Sequence, residues 1–143
     1  MLKLLFPSFN GGRSGAALLM LRMFVGIAFL FHGHGKIVDI PGFAAEFNMP
    51  VAVAMMAAYT QFICGALLIV GLLSPLASLS LAGTMVGATL TLIQRGEPFV
   101  SPHGHSWEAS SFYLTATLVL VLLGPGLYSA DALLLKKHLA NVK

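Results

Sequence analysis

Charge is what this sequence has least of. Only 9% of its residues are Asp, Glu, Lys or Arg, where ordinary soluble domains carry about 25%. A soluble chain of this length would have almost nothing with which to cover its surface. Cysteine is nearly absent too: Cys64 stands alone, so dithiol–disulfide exchange within the chain is excluded. No glycine-rich phosphate loop, no dinucleotide fingerprint after a strand and no nucleophile elbow occurs, and no pair of carboxylates has a plausible scaffold. The net charge of +3 comes without a basic patch interleaved with aromatics, which excludes a nucleic-acid partner.

What the chain has is apolar length. Hydrophobic residues make up 57% of it, mean hydropathy is +0.88, and the long apolar runs are each close to the ~20 residues that cross about 30 Å of hydrocarbon. Four are expected, at 16–38, 51–73, 76–93 and 107–123, giving an all-α integral membrane four-helix bundle in one transmembrane domain. The basic start before the first run resembles a signal peptide. That run is too long, however, and no small-x-small cleavage site follows, so it reads as an uncleaved first span. Asp39 to Pro50 reads as a short amphipathic turn in the interface, and Ser74-Pro75 as a tight turn that makes the second and third spans a hairpin. Lys3, Arg13, Lys136, Lys137 and Lys143 gather on one side of such a bundle. The other side holds Lys36 and Arg95 among four acids, so both termini are expected in the cytoplasm.

The first run organises the rest. It carries Arg22 within it and His32, His34 and Lys36 near its end, and a charge in hydrocarbon costs several kcal/mol. At about 100° per residue, Arg22, Gly26, Phe29, Gly33 and Lys36 fall within roughly 80° of one another. That face should point into the bundle. The bland alternatives are an internal ion-pair role for Arg22 and simple snorkelling of Lys36 to the interface. Similar stripes are expected to face inward elsewhere: Gln61, Gly65, Leu68 and Leu72 in the second span; Ser80, Thr84, Gly87, Thr91 and Gln94 in the third; Glu108, Ser111 and Thr115 in the fourth. Gly83 and Gly87 form a G-x-x-x-G, the spacing at which helices pack closely. Arg22, His32, Lys36, Gln61 and Glu108 are therefore the candidate ligand-binding residues.

The histidines form two H-x-H sets, His32 with His34 and His103 with His105. Imidazoles from two segments suit copper, zinc or haem iron. On a continuous helix, residues two apart point about 160° away from each other, so His32 and His34 share an ion only where the helix has ended. Solvated loop histidines with one hydrogen-bonded interface histidine are the competing reading.

Arg22, then F-L-F-H-G-H-G-K from Phe29 to Lys36, then G-A-L-L-I-V-G-L-L-S-P from Gly65 to Pro75, and finally G-P-G-L-Y-S-A-D from Gly124 to Asp131, resemble the DoxX family across nearly the whole chain. The resemblance implies a small four-helix bacterial inner-membrane protein associated with oxidoreduction. Its members are described as membrane subunits of a thiosulfate:quinone oxidoreductase or quinol oxidase, or as partners of sulfur-handling and superoxide-detoxifying enzymes. Where many members carry a glutamate early in the second span this chain has Gln61, which removes a proton-titrating group. The expected function is a membrane component of a redox system binding a quinone or similar small molecule in the outer half of the bundle. A quinone stands ahead of haem or copper as the ligand. The expected partners are the lipid bilayer, a membrane or soluble redox protein, and further copies of the chain as an open alternative. A small-solute transporter and a non-catalytic membrane anchor are the rival readings.

Overall fold

The computed structural model describes residues 9–141, of which 136–141 contribute helix backbone only. Lys3 and Lys143, and the side chains of Lys136 and Lys137, on which the orientation argument leans, lie outside what is described. Among the described residues every regular element is a helix. Helix α1 spans Gly12–Val38, α2 Ile40–Glu46, α3 Val51–Val70, α4 Ser74–Gln94, α5 Glu108–Leu123 and α6 Ala130–Asn141. Three of them, α1, α3 and α4, are long and apolar enough to cross a membrane, while α5 is a shorter apolar helix. Its 16 residues reach about 24 Å at 1.5 Å each. Large apolar side chains such as Met20, Phe24, Phe31, Met56 and Leu122 stand exposed around the bundle. That is the surface expected of helices that meet lipid rather than water, and the protein is a multi-pass, all-α membrane protein.

Each break in the helical run has a local cause. Asp39 leaves helical geometry, and its Oδ1 accepts from Gly42 N at 2.9 Å, capping α2 behind Pro41 in the first turn. The connection expected to be an interfacial turn is thus a helix of about two turns, with Phe43 and Phe47 in ring contact on one side. Helix α3 closes at Gly71 in the left-handed region, φ 76°, where Gly71 N and Leu72 N both donate to Leu67 O. Only glycine suits this position twice over, because a Cβ there would also sit 2.7 Å from the Arg22 guanidinium. Two residues later Leu73 is itself left-handed, φ 50°, a conformation that costs a branched side chain roughly 1–2 kcal/mol. It is held by Asp131, whose two carboxylate oxygens accept from Leu73 N at 2.8 Å and Ser74 N at 2.9 Å. A carboxylate from α6 therefore caps the N-terminus of α4, where a negative charge also meets the positive end of the helix dipole.

Arg22 belongs to the same end of the molecule. Its side chain is 1% exposed. Nη1 donates to Pro125 O and Nη2 to Tyr128 O, each at 2.7 Å. The guanidinium fork thus ties the Gly124–Ser129 stretch to α1, with Asp131 close enough to attract it electrostatically. The closing G-P-G-x-Y-S-x-D motif supplies both the carbonyls for Arg22 and the cap for α4.

Helix α1 packs along α3, α3 against α4, and α4 along α5, whereas α1 and α5 meet only loosely. The α1–α3 crossing is made by glycine. A Cβ on Gly26 would stand 2.8 Å from Gly65 O, one on Gly65 2.8 Å from Gly26 O, and one on Gly33 would collide with the backbone of Phe62. Arg22, Gly26, Phe29 and Gly33 are all buried, as the periodicity of the first run predicts, and so are Gln61, Gly65 and Leu68. Val25, Phe29, Leu68, Leu81 and Leu120, none more than 1% exposed, fill the centre of the bundle.

The stripe expected to face inward on α4 does not. Ser80, Gly83, Gly87 and Gln94 are exposed, and a Cβ on Gly83 or Gly87 meets nothing within 4 Å. Ala77, Ser78, Leu81, Ala82, Met85 and Leu92 are buried instead. The reason is local hydrogen bonding. Thr84 Oγ1 donates to Leu81 O and Thr91 Oγ1 to Gly87 O, both at 2.8 Å, so these hydroxyls have their donors satisfied on their own helix and need no partner inside the bundle.

Candidate functional site

At the end of the bundle opposite Arg22, α1, α3, α4 and α5 diverge around a cavity of about 170 Å³. Its polar side is built by α1 and α3. Lys36 Nζ donates to Gln61 Oε1 at 2.7 Å, and Gln61 itself is only 2% exposed. The pair meets because Gly33, one turn before Lys36, lets α1 lie directly on the α3 backbone at Phe62. Among the described residues no carboxylate makes salt-bridge contact with Lys36. Its ammonium is balanced by a neutral amide oxygen and by the Phe43 ring, 4.8 Å away at the centroid. Of its three N–H donors one is committed to Gln61, and the rest remain for whatever fills the cavity.

His32 lies one turn before Lys36 on the same wall. Its ring meets the Tyr113 ring edge-on at 5.9 Å, and Tyr113 also touches Phe29 at 5.3 Å and Phe112 at 6.0 Å. Opposite stand Met85, Ala88 and Leu92 from α4. Ser110 at the α5 wall accepts from Thr89 Oγ1 at 2.9 Å and donates to the Trp107 carbonyl. The cavity is thus an apolar, ring-lined chamber with its free donors on one side, suited to a planar molecule carrying an acceptor.

Three of the five candidate ligand residues, His32, Lys36 and Gln61, come together here. Arg22 does not. It lies fourteen residues before Lys36 on one helix, a separation of about 21 Å, and the partners found for it are the backbone carbonyls of Pro125 and Tyr128. Glu108 lines an adjoining groove on the far side of Tyr113.

The histidines are not gathered either. Helix α1 continues through Gly33 to Val38, so His32 turns into the cavity while His34 packs at 6.5 Å against the Phe62 ring. His105 Nε2 pairs with Glu46 at 3.1 Å, and the peptide oxygen of His103 accepts from Ser101 Oγ. Among the described residues no three His, Cys, Asp or Glu side chains come close enough to hold a metal.

Tyr113, Ser110 and Ser106 are the wall residues that sequence reasoning missed. A signal existed: Ser106, Ala109, Ser110 and Tyr113 follow the i, i+3, i+4, i+7 spacing of one helix face. The neighbouring face of Glu108, Ser111 and Thr115 satisfies the same spacing and is more polar, and it lines the adjoining groove.

Long apolar helices, a glycine-welded α1–α3 pair and a lysine–glutamine couple at a half-open cavity define a small helical membrane protein with a polar pocket among its helices. The DoxX family model matches residues 17–94, more than half of the sequence. The chain belongs to the DoxX family. The matched stretch contains Arg22, His32, Lys36 and Gln61, while the closing motif that receives Arg22 follows it. No curated protein and no solved structure matches the chain significantly.

Proposed function

We propose that this DoxX protein is a membrane component of a redox system and binds the ring headgroup of a quinone, or of a similar small molecule, in the cavity beside Lys36. The observation that carries the reading is the Lys36–Gln61 couple, 2.7 Å long, at the wall of an apolar chamber of about 170 Å³. A cavity of about 150 Å³ lined by apolar side chains accommodates benzene, so one six-membered ring is the right size of occupant. A quinone carbonyl would accept from the spare ammonium donors or from the Gln61 amide, with His32 a turn away as a further donor. Quinone reduction takes up two protons with its two electrons. Gln61 cannot exchange a proton, which leaves Lys36, His32 and the Tyr113 hydroxyl as the proton-exchanging groups on the cavity wall. Electrons would come from a partner protein or a bound cofactor. The tightly packed centre formed by Val25, Phe29, Leu68, Leu81 and Leu120 favours this over a solute transporter, for which a path would have to open through that centre.

The test is titration of the purified protein with a quinone analogue, with a melting curve for each variant. Lys36→Met keeps the apolar stem and removes the charge. It should stay folded and bind roughly ten- to hundredfold more weakly, the equivalent of about 1.5–3 kcal/mol for a hydrogen bond to a charged group. His32→Ala should lose less. A folded Lys36→Met protein that binds as well as wild type would discard the pocket and favour the membrane-anchor reading.

The same reading places the protein in the bacterial inner membrane as one domain of four spans, α5 being the fourth, with both termini cytoplasmic. Helix α5 is short by about 6 Å of the ~30 Å core. The packed Phe99 and Trp107 rings, 4.5 Å apart just before it, suit the interfacial level at which aromatic belts lie. Reporter fusions at Lys143 and near Ser74 should read cytoplasmic, and fusions near Pro41 or Pro102 external. A periplasmic C-terminus would put the cavity on the other membrane face.

A further inference from the structure

The cavity has a neighbour that the proposed function does not use. Along the loose seam between α1 and α5 runs an open groove of about 520 Å³, bounded by Phe24 from α1, Phe99 from the preceding loop, and Glu108, Phe112 and Thr115 from α5. It shares Ser106, Ala109 and Tyr113 with the cavity, so the two spaces are separated by one wall of small residues and a single phenol ring. Glu108 is in the first turn of α5, at the end of the bundle where Lys36 lies. From there the groove descends to Phe24, twelve residues before Lys36 on α1, or about 18 Å toward the middle of the bilayer.

Below Glu108 this groove is more apolar than its residue names suggest. Ser111 Oγ donates to Glu108 O at 2.8 Å and Thr115 Oγ1 to Ser111 O at 2.9 Å. Both hydroxyls are turned back onto their own helix, and what remains to face the groove is carbon. Phe24 and Phe112 are more than half exposed along it. The result is two adjoining spaces: a cavity with donors in the bundle and, across Tyr113, an apolar channel along its lipid-facing side.

We propose that the groove holds the apolar chain of an amphipathic ligand whose ring occupies the cavity, and that the ligand reaches the site sideways from the bilayer between α1 and α5. This rests on the cavity reading above and adds the ligand's chemical class: a membrane-soluble ring compound carrying one flexible hydrocarbon chain, rather than a water-soluble solute. The occupant follows from continuity. A chain attached to a ring in the cavity leaves along the groove because α3 and α4 close the other sides, and an apolar chain laid against Phe24, Phe112 and the Thr115 methyl stays out of water. Tyr113 is a positioning residue on this view, its ring bounding both the headgroup and the start of the chain.

The experiment compares a tailless dimethoxy-methyl-benzoquinone with its decyl-substituted counterpart, bound to the full chain in lipid nanodiscs, with affinities corrected for partition of each compound into protein-free nanodiscs. In wild type the decyl compound should bind about tenfold more tightly or better, since several methylenes gain protein contact. Thr115→Trp fills the groove without touching the cavity. It should bring the two affinities to within about twofold of each other while leaving the tailless compound unchanged. Phe24→Ala, which removes the opposite wall, should narrow the gap in the same direction and serves if the tryptophan variant does not fold. Equal affinities in wild type, or a gap that survives both substitutions, would overturn the groove while leaving the cavity intact. Binding of neither compound by wild type would overturn both.

Discussion

Replacing Arg22 with leucine is expected to be the most damaging single change in the bundle. The guanidinium is buried and donates at 2.7 Å to two backbone carbonyls, Pro125 O and Tyr128 O. Leucine supplies no donor, and the Pro125 carbonyl is buried and that of Tyr128 partly so. A hydrogen bond to a charged group contributes about 1.5–3 kcal/mol, so losing both costs about 3–6 kcal/mol. Asp131 also loses the positive charge nearby while it must still hold Leu73 N and Ser74 N. The expected result is a large fall in folded yield in mild detergent and a melting temperature lowered far beyond that of surface variants. Arg22→Lys keeps the charge but not the fork, and should fall between the two. Wild-type yield and melting temperature in Arg22→Leu would mean that the guanidinium does not hold the Gly124–Ser129 stretch.

The second large effect is expected from one methyl group. Gly33→Ala puts a Cβ onto the Phe62 backbone, where neither partner is a side chain that can swing aside. Helices α1 and α3 must separate, at a cost of about 1–3 kcal/mol for overpacking a close contact. Within the membrane the cost is hard to recover, because helix association there depends on close packing rather than on expulsion of water. Since Gln61 adjoins Phe62 and Lys36 is one turn from Gly33, ligand binding should fall together with stability. Gly87→Ala is the matched control. A Cβ there meets nothing within 4 Å, and alanine is favoured over glycine inside a helix by about 0.8–1 kcal/mol. That variant should melt at or above the wild-type temperature. Thermal unfolding of the two proteins side by side decides it, and equal melting temperatures would remove the glycine weld from the account of the fold.

That contrast shows what the sequence made legible and what it did not. Periodicity put Arg22, Gly26, Phe29 and Gly33 on one face of the first run, and that face is buried. It put Gln61 with Gly65 and Leu68, and those are buried too. Neither inference needed more than the helical repeat and the high cost of polar groups in lipid. The same reasoning failed on α4, whose G-x-x-x-G looks outward while the weld is made by Gly26, Gly33 and Gly65 on other helices. It failed on α5 as well, where Tyr113 and Ser110 face the cavity beside the more polar Glu108 and Ser111. Spacing says which residues share a face. It does not say which of two adjacent faces points inward when serines and threonines can satisfy themselves on their own helix. Nor does any periodicity mark the fold-back of Gly124 to Asp131, which depends on backbone carbonyls aimed at a side chain about a hundred residues earlier.

That separation has a consequence for how the protein is made. Arg22 leaves the ribosome and enters the bilayer long before Pro125 and Tyr128 exist, their bonds spanning 103 and 106 residues. The amide groups that begin α4 wait likewise for Asp131, which follows by 57 and 58 positions. Until Gly124–Asp131 has been synthesised, the nascent bundle carries an unmatched cation in its first helix and an uncapped third long helix. The Gly124–Asp131 stretch therefore ties together helices already made: it brings the acceptors for Arg22 and the cap for α4.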